Sequence, residues 1–595
     1  MVETTSRQSG RESAVLIFVL IALGTALVAT TIPGPFSIDE INNLVTVTGL
    51  RSGSLFVPGT EGLTPSRELY SFDPEAFRRI ASVTPVFSVA PPLYAPIALP
   101  FSFLGWRGLV LLNILAFLLT AYIVFNITRR FAASREAPWI AVVFTVLGGF
   151  LLEYSQGVWP HALSVFFVAA SFFAAIGCWK DGRVASAFVA GILMGVATGI
   201  REQNIILAAL LGCATILFTN RKFRDAGVYA LGASIPLIVI ATIHYFRQGL
   251  WHPFPKAVAF GGHLGSIGQQ IPPLRNFWAR IFDFSAFPLP NDSYFSLFYT
   301  RDSVSNAVLV SGVVKKALLQ SAPWMFVALL VLCLVWTKRS SGSTELRRSV
   351  RIISFLVVPA LLVLTFLAGG RTDGLSFNQR YFLELMPLAA VGLALSLDEF
   401  RPPVMYAMAG MLGSGILFTM ALVLPSHAWY ELALLRVPLV LAILGAVSWL
   451  FRTNNAGRAV LAAVLGLSVG WSALVHVFDD WSSSRTIRKR NAACVAVLES
   501  VVPDHSAIFT YGAARDAAGV LHLTGDVVVL DVSADDGKDA ATLAHELRAL
   551  NRRILVMTNV FPDDVMKNIA GGDSIRVLTT SVAGVAEILP IHSIR

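Results

Sequence analysis

Asp39 and Glu40 stand side by side in PGPFSIDEINNL, a few residues after the first long apolar run. A carboxylate at the boundary between lipid and water stays ionised and still reaches a molecule whose tail lies in lipid. A carboxylate so placed could take part in catalysis. The same residues also suit the start of a helix near Ile41, with Ser37 or Asp39 as cap and the acids favoured by the helix dipole. Glu153, Tyr154 and His161 bracket the short loop LLEYSQGVWPH. Ionisable groups at membrane depth are costly and tend to mark function, although a glutamate at a helix end can also reach out to water. In TGIREQN, Arg201 either binds an anion or pairs with Glu202. GGRTDGLSFNQRYFLELMP supplies Arg371, Asp373 and Arg380. The guanidinium of Arg380 has the fork that grips a phosphate, with Tyr381 as an interfacial anchor beside it.

Two longer segments add cations. SFDPEAFRRIASV reads as a short amphipathic helix with Arg78 and Arg79 on its polar face, and SVAPPLYAPIALPFSFLGW is apolar but too rich in proline for a comfortable spanning helix. Both fit segments lying in the interface, where Arg78, Arg79 or Arg107 either cradle a lipid phosphate or, with Trp106, serve as anchors. Lys256, His263, Arg275, Arg280 and Arg301 lie among aromatics in the segment 247–316. That mixture suits a lid over a lipid-linked anionic substrate, and equally a solvated loop.

These residues need a membrane to position them. The chain has 595 residues, 55% hydrophobic and 14% charged, with a mean hydropathy of +0.67. Soluble domains run near a quarter charged, so lipid must be the solvent for most of this chain, which excludes a cytosolic enzyme, a disordered scaffold and a disulfide-rich secreted module. The net charge is +9, but its basic residues sit in short runs between apolar segments, as orientation signals do, and do not form a nucleic-acid patch. Cys178, Cys213 and Cys333 lie within apolar runs and Cys494 lies alone, so neither a disulfide framework nor a metal cluster is expected.

Apolar runs fall at about 14–33, 108–128, 138–153, 161–179, 184–200, 204–219, 226–246, 317–336, 352–369, 382–397, 403–424, 431–451 and 458–478. Lys and Arg follow the even-numbered runs: Arg129 and Arg130, Lys180 and Arg183, Arg221 and Lys222, Lys338 to Arg351, Arg401, and Arg452 with Arg458. The loops after the third and eleventh runs carry none. The positive-inside rule then places the N-terminus in the cytoplasm and the C-terminus on the other side. The expected architecture is an α-helical polytopic membrane domain over 1–478, with about thirteen transmembrane helices, a first outer loop at 34–107 and a lid-like outer loop at 247–316. A small α/β domain follows over 479–595, outside the membrane. HSAIFTYG, GDVVVLDV, RILVMTN and SIRVLTT read as its strands, and ATLAHELRALNRR and PDDVMKNIA as helices between them.

In this arrangement the chain resembles the GT-C superfamily of polyprenyl-phosphate-sugar-dependent glycosyltransferases, most of all the protein O-mannosyltransferase and aminoarabinose-transferase branch (glycosyltransferase family 39 and its relatives). The resemblance is carried by FSIDE after the first run, APPLYAPIALPF leading into the second, EYSQGVWPHALSVF around the third and fourth, TGIREQN after the fifth and FNQRYFLELMP entering the tenth. It implies that Asp39 acts as catalytic base, with Glu40 beside it. It further implies that Glu153 shapes the acceptor side or a metal site, and that Arg380 holds the donor phosphate. Glu153 has no second acid beside it, which leaves a divalent metal open and names no ligand set. The α/β domain carries no motif of the resemblance, so the acceptor stays open.

The chemistry expected of these groups is an inverting transfer of a hexosyl or pentosyl group on the outer face of a bacterial inner membrane. The donor is a polyprenyl-phosphate-linked sugar, and the acceptor a glycan, a lipid or a protein. Asp39, Glu40 and Glu153 are the catalytic candidates. Arg380, Tyr381, Arg371, Arg201, His161, Arg78, Arg79 and Lys256 are the candidates for binding substrate. Two other readings remain: a lipid or solute transporter, which would want ionisable groups near span midpoints and paired broken helices, and a non-catalytic component of envelope glycan assembly.

Overall fold

The computed structural model of the protein describes residues 2–36, 38–53, 91–248, 251–254, 281, 316–336, 344–367, 380–423 and 427–510, and beyond 510 the strands with parts of the helices between them. The first half of the bundle consists of α1 (Val2–Thr30), α2 (Ile38–Arg51), α3 (Tyr94–Ser102), α4 (Gly105–Phe131), α5 (Glu136–Val146), α6 (Leu151–Ser155), α7 (His161–Asp181), α8 (Val184–Ile200), α9 (Ile205–Phe218) and α10 (Lys222–Gln248). The second half runs through α11 (Leu318–Ser321), α12 (Trp324–Leu334), α13 (Thr344–Leu367), α14 (Leu385–Asp398), α15 (Val404–Val423), α16 (His427–Leu450) and α17 (Asn455–Leu474). Each of the expected apolar runs falls on a helix. Among the described residues, seven helices are long and apolar enough to cross a bilayer.

Where runs expected as single elements break, the sequence gives the reason. The run 138–153 splits between α5 and α6 at Gly148-Gly149. The Trp324 indole donates to the Gly148 carbonyl at 2.6 Å, and a Cβ on Gly148 would stand 2.7 Å from that indole nitrogen. The run 317–336 splits at Ala322-Pro323. Proline has no N–H and turns the preceding residue away from the helical region, and Ala322 accordingly sits at φ −152°, ψ 73°. Close helix pairing follows small residues, as membrane interfaces favour. A Cβ on Gly191 of α8 would meet the Tyr229 carbonyl of α10 at 2.0 Å, and one on Gly466 of α17 would meet the Ala407 carbonyl of α15 at 2.0 Å.

α14 is buried almost all round and packs against α4, α5, α7, α12 and α13. At one end its Asp398 accepts the N–H groups of Ala133 and Ser134 ahead of α5, at 2.5 and 2.9 Å. The basic helix ends gather at this end of the bundle. Lys180 pairs with Glu345 at 2.6 Å, Arg129 donates to the Ser13 hydroxyl and Arg458 to the Phe400 carbonyl. The other end of α14 opens with the 3₁₀ turn Arg380–Phe382 and points the opposite way.

After α17 a π-helical segment, Val475–Trp481, leads straight into α18 (Ser482–Val501). Helix therefore runs without a break past residue 478, where the change in composition suggests a domain edge. The strands β1 (Ser506–Thr510), β2 (Val527–Asp531), β3 (Arg553–Met557), β4 (Ser574–Thr579) and β5 (Val585–Leu589) form one sheet in the order β2-β1-β3-β5-β4. β1 pairs in parallel with β2 and β3, with Ile508 opposite Val529 and Leu555. β5, a strand that the alternation of the sequence did not suggest, pairs antiparallel with β3 and β4. The core under the sheet joins Ile508, Val529 and Leu555 to Cys494 and Leu498 of α18. It also takes in Ile41 and Val45 of α2, a helix that the sequence assigned to the outer loop of the membrane domain.

Candidate functional site

The sequence candidates that the structure describes meet at the end of the bundle away from the basic clusters. Asp39 lies in the first turn of α2, where its main chain is fixed by its neighbour. The Glu40 carboxylate is fully buried and accepts four hydrogen bonds: from Phe36 N–H at 2.6 Å, from Val158 N–H at 2.8 Å, and from both terminal nitrogens of Arg488 at 2.7 and 2.9 Å. With both oxygens occupied in this way, Glu40 has no lone pair free to take a proton from substrate. Glu40, expected as a catalytic carboxylate beside Asp39, is thus bonded to Arg488 and to two backbone N–H groups.

Through Val158, Glu40 binds the loop between α6 and α7. Asn43 donates to the Val158 carbonyl at 2.9 Å and Asn113 to that of Gly157 at 2.6 Å. A Cβ on Gly157 would stand 2.0 Å from Glu40 Oε1, so only glycine allows the approach. Around this loop Glu153, Tyr154, Gln156, Trp159 and His161 are all buried. The Tyr154 ring lies 4.7 Å from that of His161 and 5.0 Å from that of Trp159. Among the described residues, neither ring nitrogen of His161 and neither amide atom of Gln156 has a hydrogen-bond partner. Buried polar groups left open in this way are what a bound polar molecule or water satisfies.

Arg201 follows the last residue of α8, and its partner is not the adjacent Glu202, as the sequence allowed, but Glu384 at 2.8 Å. It also donates to the Arg380 carbonyl at 3.0 Å. Gln203 donates to the Tyr381 carbonyl and to Glu384, and the Ser164 hydroxyl, itself bonded by Asn204, donates to Glu384 at 2.8 Å. Arg201, expected as an anion ligand, thereby holds the Arg380–Glu384 turn through its terminal nitrogens. The Arg380 side chain is partly exposed and lies over the Tyr381 ring, 5.9 Å from its centroid. Arg78, Arg79, Arg371 and Lys256 lie outside the described residues. Among the described residues, no group of three His, Cys, Asp or Glu side chains stands together to hold a metal ion.

Sequence reasoning missed a second buried cluster beside α6. Lys316 donates to Asp480 at 2.5 Å, and His476 lies 2.8 Å from Asp480 and 2.8 Å from the Ser321 carbonyl. All three side chains are shut from solvent, and the His476 ring contacts Phe150 at 5.9 Å. The signal was available, because His476 and Asp480 are ionisable residues at the end of an apolar run. It also missed Glu384, an acid at the start of one, and Arg488, in a basic run that breaks the charge bias.

No protein-family model matches the chain, and no curated protein matches it. Among solved structures, the crystal structure of ArnT from Cupriavidus metallidurans in the apo state is similar to the chain with a TM-score of 0.51. It shares 12% sequence identity, over 97% of this chain and 98% of that one. The same protein bound to undecaprenyl phosphate gives 0.49 at 13% identity, over 96% and 97%. The archaeal oligosaccharyltransferase AglB from Archaeoglobus fulgidus, in complex with an inhibitory peptide and a dolichol-phosphate, gives 0.44 at 12% identity, over 99% and 75%. At this identity the likeness is one of fold. The chain is a polytopic integral membrane protein with the GT-C fold that the motifs implied.

Proposed function

We propose that the protein is an inverting glycosyltransferase that moves a sugar from a polyprenyl-phosphate donor to an envelope glycan, lipid or protein acceptor on the outer face of the membrane. The observation that supports this reading is the convergence of three distant segments at one end of the bundle. The Glu40–Val158 bond joins the Asp39 helix to the Glu153–His161 loop, and Arg201 and Glu384 join that neighbourhood to Arg380.

In the proposed reaction Asp39 takes the proton of the acceptor hydroxyl. The acceptor oxygen then bonds to the anomeric carbon from the face opposite the phosphate, and the bond from that carbon to the phosphate oxygen breaks. A single displacement of this kind inverts the anomeric centre. General-base help is typically worth about 10²–10⁴-fold. Alignment of donor and acceptor supplies up to roughly 7–11 kcal/mol in the best-oriented cases. The departing lipid phosphate is received by Arg380, whose main chain is held by Arg201; a fixed guanidinium stabilises charge best where water is excluded. His161 and Gln156 supply open hydrogen-bonding groups for sugar hydroxyls, and Glu153 lies on the acceptor side. The notable charges lie at helix ends, whereas a transporter would want them near span midpoints.

The test is purified protein in vesicles, offered a panel of synthetic polyprenyl-phosphate sugars with envelope acceptors and followed by mass spectrometry. The proposal expects free polyprenyl phosphate together with a new glycoside. Movement of labelled lipid across the bilayer with no glycosidic bond made would overturn it in favour of a flippase.

A further inference from the structure

We propose that Arg488, on the helix that leaves the membrane toward the C-terminal sheet, is a positioning residue for the reaction: it holds the segment 34–40, and so Asp39, against the bundle. The inference rests on the reading of Asp39 as base and adds to it the part that sets that base in place.

Arg488 grips the segment at both ends. Its two terminal nitrogens take the Glu40 carboxylate end-on, at 2.7 and 2.9 Å, and one of them also donates to the Gly34 carbonyl at 2.7 Å. Asn491, three residues on and therefore on the same helix face, donates to the Pro35 carbonyl at 2.8 Å. The guanidinium lies over the Phe36 and Trp106 rings, at 5.7 and 5.8 Å from their centroids. Gly34 has φ +128°, and a Cβ there would stand 2.7 Å from the Arg488 carbonyl, so contact is close along the whole length. Beyond Asp39, Ile41 and Val45 are buried in the core of the C-terminal domain. The segment that carries Asp39 is thus bound on one flank by the C-terminal helix and on the other by the bundle, through Val158 N–H. Glu40 is the junction of the two.

The helix that bears Arg488 is itself fixed at its root. The π-helical segment before it is pinned by Lys316 through Asp480 and by the Ser321 carbonyl through His476, and π-helical turns are frequent at functional sites. Only a fork satisfies both carboxylate oxygens and a carbonyl at once. Lysine offers a point charge, so an Arg-to-Lys exchange here is not conservative.

The test compares full-length wild type with Arg488→Lys and Arg488→Gln by hydrogen exchange and by turnover of the polyprenyl-phosphate sugar on which the wild type is active. In Arg488→Gln, exchange at the Phe36 and Val158 amides should rise roughly tenfold or more, while α14 and the sheet keep their protection, since local opening follows local contacts. The kcat should fall by about 10²-fold, the loss that an ångström of misplacement brings, with KM for the donor within about threefold of wild type. Arg488→Lys should lie between the two. Should Arg488→Gln fail to fold, Glu40→Gln removes the same charge pair from the other side, and the same local rise is expected. Unchanged exchange over 34–40, or faster exchange there with undiminished kcat, would overturn the proposal. A wild type without any transfer would instead sink the glycosyltransferase reading, with the exchange result standing apart from it.

Discussion

Arg201 and Glu384 form a buried ion pair in the middle of a hydrogen-bonded network, 7% and 2% exposed at their side chains. Removing one partner strands the other charge, which typically costs about 3–5 kcal/mol. Glu384→Ala should therefore lower the unfolding free energy in detergent by about that much, and Arg201→Ala/Glu384→Ala by less than the sum of the two single changes. Equality with the sum would show that the two do not act together. Arg380 should behave differently, since its side chain is partly exposed over Tyr381. Arg380→Ala should leave unfolding near wild type and weaken binding of a polyprenyl phosphate, in vesicles, by roughly tenfold or more, the scale of a charge-assisted contact. Unaltered affinity would reduce Arg380 to an anchor. Much at this scale was legible, because Asp39, Glu153, His161, Arg201 and Arg380 are charged or polar residues at the ends of apolar runs. Their partners were not. Nothing local in the sequence tells that Glu40 faces Arg488, some 448 positions away, or that Arg201 prefers Glu384 to the acid beside it.

Elements were read well where one signal decides them. Apolar runs fall on helices because lipid leaves the backbone no other local way to satisfy its hydrogen bonds. The break at Gly148 goes with a tertiary partner, Trp324, and so escapes a hydropathy reading, whereas the break at Pro323 is local. β5 was missed because VAEIL is a short run whose pairing with β3 and β4 is set by the sheet, not by its own pattern. The loop between α6 and α7 gives the sharpest prediction at this scale. In Gly157→Ala the added methyl meets the Glu40 carboxylate, so the loop must move off α2. Exchange at the Val158 amide should rise and transfer should fall, whereas retention of both at wild-type levels would show that the loop does not depend on this approach.

At the scale of the molecule, the charge pattern of the helix ends carries an orientation. The ends joined by Lys180–Glu345, Arg129–Ser13 and Arg458–Phe400 should face the cytoplasm, and the sheet should lie outside. In a cysteine-free background, a membrane-impermeant maleimide applied to intact spheroplasts should label Asp504→Cys, beside the sheet, and spare Lys222→Cys. The reverse pattern would invert the topology and place the site on the wrong face. The membrane bundle was legible as a whole from composition. The union of α2 with the C-terminal core was not, since it joins the two ends of the chain.

The proposed reaction rests on one acidic residue, Asp39. Purified wild type and Asp39→Asn, reconstituted side by side and supplied with the same polyprenyl-phosphate sugar, should show transfer falling by about 10²–10⁴-fold while unfolding and lipid-phosphate binding stay as in the wild type. Turnover of the asparagine variant near the wild-type rate would contradict the assignment of the base, and with it the site described around it.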